Sequence, residues 1–256
     1  MSERVNGRKG GRSVRNRIPG LPGVVTNVDT KEPLIALTFD DGPDPQETLP
    51  LLEVLEGHGA RGTFFLRGAA VAQYPEVVSR IVAGGHAIGN HTWSHPVLPR
   101  IGFRERWREL RSCKSALAPY GGGNLFRPPY LAISQRARLE ALLLGLEVIM
   151  CNVSTNDWRL TESEQILAIL LRRPSAGDIV LLHDTIFVPE GKRFGHSHLI
   201  FRERGPMRTA VDTYLSKTEG HFRHVTVPEM LRAGRPVRAT WYKAGPSEQD
   251  DAIAVS

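Results

Sequence analysis

The sequence predicts an α/β protein, a parallel sheet with helices outside it, arranged as a barrel or a doubly wound sheet. Three observations lead there. Short apolar runs alternate with amphipathic segments along most of the 256 residues. No internal repeat is visible. Unusual polar residues fall at the carboxyl ends of the apolar runs, where chemistry gathers in barrels and open α/β sheets.

The elements follow in order. LIALTF (34–39) reads as a buried strand, and ETLPLLEVLEGHG (47–59) has helical spacing with a glycine stop. RGTFFL (61–66) is β-branched and aromatic, hence strand. PEVVSRIVAGG (75–85) opens on proline and closes on glycine, as helices do. HAIGN (86–90) reads as a short strand or turn, and 103–118 as a long amphipathic helix. Strands are expected at 124–127, 146–151 and 178–183, with helices at 133–145, 161–173 and 206–216. HFRHVTV (221–227) is the last strand. Residues 1–30 read as a flexible basic arm, 31–240 as one catalytic domain and 241–256 as a polar tail.

Composition excludes several classes. An apolar fraction of 41% supports a core, and 23% charged residues is ordinary for a soluble chain. Much of the net charge of +6 sits in the arm, RKGGRSVRNR. A short basic tail is a weak nucleic-acid signal, so no such role is assigned. No apolar h-region follows those arginines, and no run reaches the roughly 18–20 apolar residues of a membrane span. A cytoplasmic location is the expectation. Cys113 and Cys151 make no disulfide framework.

Two constellations stand out. The first strand ends in Asp40-Asp41, within FDDGPD (39–44). Adjacent carboxylates repel, so a cation is the expected compensation, although the doublet could also open a turn. Successive strand residues face different sides, so one carboxylate can bind a metal while its neighbour stays free as a base. In GNHTWSHP (89–96), His91 and His95 are spaced i, i+4, which one helical turn would place on the same side. Alone they could be two surface histidines. Beside the acidic doublet they read as zinc ligands, since two histidines and a carboxylate leave a position open for water. Arg127, Asp157 and His183 fall at or just after three further strand ends.

TFDDGP, GNHTWSHP, RPPY, NDW and LLHD, in this order, resemble the NodB-homology polysaccharide deacetylases, carbohydrate esterase family four. The resemblance runs from about residue 33 to 232. It implies a distorted (β/α) barrel of the NodB type. It also implies metal-dependent hydrolysis of the N-acetyl group of an amino sugar in an oligosaccharide, glycolipid or related glycoside. By the same resemblance Asp40 is the general base, and Asp41, His91 and His95 hold one divalent metal, zinc first, with cobalt or nickel fitting the same ligands. Arg127 orients the base, and the backbone N–H of Tyr130 helps hold the oxyanion. Asp157 tunes the catalytic histidine and Trp158 walls the acetyl groove. Leu181 lines the acetyl pocket and His183 is the general acid. O-acetyl ester hydrolysis, a non-sugar amidohydrolase and a catalytically silent carbohydrate binder are the alternatives.

Two positions depart from the family pattern. Leu131 stands where glycine usually follows the tyrosine, and Ser154 stands three positions before the Asp-Trp pair, where an aspartate is frequent. Neither is a metal ligand, base or acid. His58, His86, His221 and His224 read as surface or packing residues. The segment 185–205 is longer than expected after His183 and carries Phe187, Lys192, Arg193, His196, His198, Phe201, Arg202 and Arg204. It is expected to border the site as a lid whose cations favour an anionic substrate. On the expected cytoplasmic location, a soluble oligosaccharide, lipid-linked sugar or glycoside is expected to fit better than intact cell-wall polymer.

Overall fold

The structure is a computed structural model that describes residues 20–172, 174–188 and 202–240. Its centre is a curled parallel sheet with the strand order β6-β5-β4-β3-β2-β8-β7. In chain order these strands are β2 (Leu34–Asp40), β3 (Thr63–Leu66), β4 (Ala87–Asn90), β5 (Leu125–Phe126), β6 (Glu147–Val148), β7 (Val153–Ser154) and β8 (Asp178–His183). A short β9 (Arg223–His224) pairs in parallel with the start of β2. The terminal strands β6 and β7 each have one neighbour in this order, so the barrel is open on one side.

Alternation along the strands divides the core into two. From β2, Ile35, Leu37 and Phe39 pack with Phe64, Leu66, Val180 and Leu182 against the helices. Those helices include α1 (Thr48–Gly57), α3 (Pro75–Ala83), α6 (Ser163–Leu171) and α7 (Gly205–Thr218). Leu34 and Ala36 face inward with Phe65, Phe126, Ile179 and Leu181. Both faces of β2 are therefore buried, which is why its sequence is a continuous apolar run. The same parity sends Thr38 and Asp40 inward from β2 and puts His183 on the face of Leu181 in β8. Asp40 and His183 are register partners on adjacent strands.

The expected arm boundary is corrected. Val24–Asp29 is strand β1, antiparallel to β10 (Arg235–Ala239), and Val24, Val25 and Val28 are buried. The valines of VVTNVD supply enough apolar surface to join the body. The rest of the arm, residues 1–19, and the tail 241–256 lie outside the described residues. Two helices add to those read from the sequence, α2 (Gly68–Gln73) and α8 (Val227–Ala233). The last carries a capping box, with Thr226 Oγ1 accepting from Glu229 N and Glu229 bonding back to Thr226 N. The remaining helices are α4 (Phe103–Leu117) and α5 (Gln135–Leu143). Among the described residues no helix is long and apolar enough to cross a membrane. Cys113 and Cys151 are both free and buried.

Candidate metal centre and proton-transfer site

The acidic doublet is split by backbone conformation. Asp40 is the last residue of β2, whereas Asp41 leaves the strand with φ 81°. Arg127, fully buried just after β5, donates to Asp40 Oδ1 at 2.8 Å and to Thr38 Oγ1 at 2.6 Å. Its other bonds run to the carbonyls of Ile149 and Met150 at 3.3 and 2.9 Å. Five rigid donors in a planar fork suit this many partners. Asp40 is thereby held by one aimed, charge-assisted bond.

Asp41 turns the other way. Its Oδ1 lies 3.3 Å from His91 Nε2 and 3.1 Å from His95 Nε2. The three side chains are buried, and one ligand atom from each lies within 4.8 Å of the others. Asp41 Oδ1 has no well-angled hydrogen bond in this pocket. Burial opposes charge on Asp41, but the imidazoles of His95 and His91 hold its carboxyl well below the ordinary range. Burial pushes the pKa of His95 down, which favours neutral imidazole. His91 Nδ1 donates to the Arg127 carbonyl at 2.8 Å, leaving Nε2 as the lone-pair nitrogen. Two imidazoles and a carboxylate converging in a buried pocket fit a divalent cation. Asp41 Oδ2 is braced separately by the N–H of Phe187 at 2.9 Å.

The i, i+4 histidines do not share a helical turn. The chain from His91 to His95 is a loop, with Thr92 at φ 66° and His95 at φ 62°. Side chains hold it. Asn90 Oδ1 accepts from Thr92 N at 2.8 Å, and Thr92 Oγ1 accepts from His95 N at 3.1 Å. The Glu109 carboxylate on α4 accepts from Trp93 N, Ser94 N and Ser94 Oγ at 2.9, 2.8 and 2.8 Å. Sequence reasoning missed Glu109. The available signal was a carboxylate in line with Leu110, Cys113 and Leu117 on the buried face of the helix. Glu109→Ala is expected to weaken zinc binding about 10–100-fold in a competition titration, as loss of outer support does elsewhere. Unchanged affinity would show that the loop keeps its shape without Glu109.

The second half of the site is a buried triad. Asp157 Oδ1 accepts from His183 Nδ1 at 3.0 Å and from Thr155 Oγ1 at 3.1 Å. Asp157 Oδ2 accepts from His183 N and from the Arg204 guanidinium, both at 3.0 Å. Burial alone would lower the pKa of His183. The carboxylate of Asp157 outweighs it, with Asp41 and Asp40 adding to the effect, and pushes the value up to about 9. With Nδ1 committed to Asp157, Nε2 is the exchangeable end.

The remaining expected residues are placed as follows. Tyr130 has φ 57° and meets the His95 ring edge-on at 4.6 Å. Leu131 follows at φ 50°, a conformation that is free for glycine and costs an ordinary residue roughly 1–2 kcal/mol. Its buried side chain packs into the inner core. Ser154 lies in β7, opposite Leu181. Trp158 follows Asp157 and is half-buried, with the Arg159 guanidinium 4.8 Å from its ring. His86 is a packing residue, accepting from Gly62 N at 3.0 Å, and His58 pairs with Asp212 at 2.7 Å. Arg67, directly after β3, was also missed. Its Nε donates to the Asp41 carbonyl at 2.7 Å, and its guanidinium lies 3.8 Å from the Phe187 ring.

Of the expected lid, residues 189–201 lie outside the described residues. Both flanks border the site. Phe187 reaches Asp41 by its N–H and faces the His95 ring at 5.8 Å. Arg204, expected to offer its charge to an anionic substrate, is 1% exposed and bonded to Asp157 instead. It is thus withdrawn from any substrate.

Fold and site define a class: a curled parallel half-barrel whose mouth joins an Asp-His-His cluster, a separate arginine-held carboxylate and an aspartate-backed histidine. The family model described as polysaccharide deacetylase matches residues 27–149. A chitooligosaccharide deacetylase of Azorhizobium caulinodans is 33% identical over 165 residues, 63% of this chain and 79% of that protein. The peptidoglycan-N-acetylmuramic acid deacetylase PdaC of Bacillus subtilis is 32% identical over 172 residues. That match covers 66% of this chain and 36% of that protein, so the chain spans about a third of the length of this relative. The crystal structure of the Bc1960 peptidoglycan N-acetylglucosamine deacetylase superposes with TM-score 0.72 at 28% identity, covering 84% of this chain and 96% of that one. The chain belongs to the polysaccharide deacetylase family.

Proposed function

We propose that the chain hydrolyses the N-acetyl group of an amino sugar within a glycan chain, releasing acetate and a free amine. The observation that carries this reading is the pairing of a cation-binding cluster with two proton-handling groups. Asp40 and His183 sit side by side on β2 and β8 yet have different partners, Arg127 and Asp157. One is arranged to accept a proton and the other to donate one. The names of the relatives, for peptidoglycan and chitooligosaccharides, favour N-acetylhexosamine units as the substrate. They also return cell-wall polymer to the substrates worth testing.

Asp41, His91 and His95 would hold one divalent ion, zinc first and cobalt or nickel next. When bound, such an ion polarises a carbonyl and lowers the pKa of water. The protein's own groups do the rest. Asp40, aimed by Arg127, takes a proton from the attacking water. The backbone N–H of Tyr130, in the loop against His95, is assigned to hold the developing oxyanion. Leu181, on the inner face beside His183, lines the space for the acetyl methyl, and Trp158 borders it. His183 Nε2 passes its proton to the departing nitrogen, while Asp157 holds the resulting neutral ring in the Nδ1–H tautomer.

Acetate release from N-acetylated oligosaccharides and peptidoglycan fragments, with and without chelator, tests the reading. Release of acetate with a free hydroxyl, and never a free amine, would make the enzyme an esterase instead. The pH dependence has a definite sign. The folded pKa of His183, about 9, is above its ordinary value of 6.5, so the proton-donating form is complete below about 6.5. Turnover is expected to fall as pH rises through about 9. Asp157→Asn should move that limb down by more than one pH unit, and a limb that stays in place would contradict the assignment.

A further inference from the structure

We infer that Arg204 is a positioning residue for proton delivery, acting on His183 through Asp157. The inference rests on the hydrolase reading above. Arg204 immediately precedes α7, far from Asp157 in sequence, and its side chain is 1% exposed. Its guanidinium donates to Asp157 Oδ2 at 3.0 Å and to the Asp157 carbonyl at 3.4 Å, so it grips both ends of the residue. Arg204 Nε is fixed in turn by the Arg202 carbonyl at 3.1 Å.

Burying a guanidinium is costly before it is paired, and a purely structural contact at this position could be apolar. What the arginine provides is direction. Asp157 has two oxygens and four donors around them. Thr155 Oγ1 and His183 Nδ1 share Oδ1, while Arg204 and His183 N share Oδ2. The arginine fixes the plane of the carboxylate, and that plane sets where the imidazole points. Without it Oδ2 keeps only the His183 N–H, so the carboxylate plane is less firmly set and Nε2 is less well aimed at the leaving group.

The consequence is selective. An alkylamine cannot leave without a proton, whereas 4-nitrophenolate can. Arg204→Met is therefore expected to lower the ratio of turnover on triacetylchitotriose to turnover on 4-nitrophenyl acetate about 10–100-fold, the usual scale for an outer positioning partner. Arg204→Lys, which keeps a cationic donor, should return the ratio to within about 5-fold of wild type. In an Asp157→Asn background Arg204→Met should add less than about 2-fold, because the two act as one unit. If Arg204→Met does not accumulate as folded protein, Arg204→Gln removes the charge with less change of shape and is read the same way. An unchanged ratio in any folded, charge-removed variant overturns the inference, as does an equal loss on both substrates. If wild type cleaves the ester but no amide, the amide reading falls, and the ratio of ethyl acetate to 4-nitrophenyl acetate reads Arg204 instead. Independently of turnover, the downfield Nδ1–H proton resonance of His183 should broaden or vanish in Arg204→Met, and an unchanged resonance counts against the role.

Discussion

Asp40→Asn is expected to reduce acetate release by about 10²–10⁴-fold, the usual contribution of a positioned base. The amide is nearly isosteric and its oxygen can still accept from Arg127, but the buried guanidinium loses its counter-charge, so the thermal midpoint is expected to fall and turnover is compared on the folded protein. The metal cluster keeps its three ligands, because Asp40 Oδ2 is 3.9 Å from His91 Nε2 while Asp41 Oδ1 is 3.3 and 3.1 Å from the two histidines. The variant should bind zinc with the affinity of wild type and remain inactive. The separation follows from the backbone. Asp40 ends a strand and points into the barrel mouth beside Arg127, whereas the positive φ of Asp41 swings the next carboxylate to the histidines. Retained turnover in a zinc-loaded Asp40→Asn protein would remove Asp40 from the reaction.

The complementary result is expected at His91. His91→Ala removes one of three converging ligands and leaves Asp41 and His95 unable to complete the set. Bound zinc should fall from one per chain to below about 0.1 after dialysis, and turnover by about 10³-fold or more, since a divalent ion supplies several kcal/mol of charge stabilisation. His91 is also bonded to the Arg127 carbonyl, so a local packing loss accompanies the change. His91→Gln keeps a polar side chain of similar reach and controls for that loss. Both variants should keep the zinc-free thermal midpoint within a few degrees of wild type. Full zinc occupancy in His91→Ala would mean that the cluster is not the metal site.

The polar residues at strand ends were legible because the geometry of parallel sheets is general. An apolar strand buried on both faces has little reason to end in two acids, and Asp40-Asp41 does so at the sheet's carboxyl edge. Leu181 and His183 share a face because strand parity is two, which any L-x-H at a strand end would show. The loop of His91 and His95 was misread because its shape comes from afar. An i, i+4 pair suits a helix by local spacing, but the His95 N–H that would close such a turn is taken by Thr92 Oγ1, while Glu109 on α4 holds the N–H groups of Trp93 and Ser94. Strand β1 was hidden for a similar reason, since its partner β10 lies more than 200 residues away and its valines adjoin a basic, glycine-rich stretch. Arg204 left no local trace, because an arginine before a helix looks the same whether it meets solvent or a buried aspartate.

The proposed function joins a cation-loaded cluster and the Asp40–His183 pair in cleaving a sugar acetamide. It is tested most directly by incubating the zinc-loaded protein with N-acetylated chitooligosaccharides and peptidoglycan fragments while counting acetate and new amines together. Equal amounts of both are expected, lost on chelation and restored by one equivalent of zinc. A protein that holds one zinc per chain in this cluster, yet releases neither acetate nor amine from any of these substrates, would contradict it.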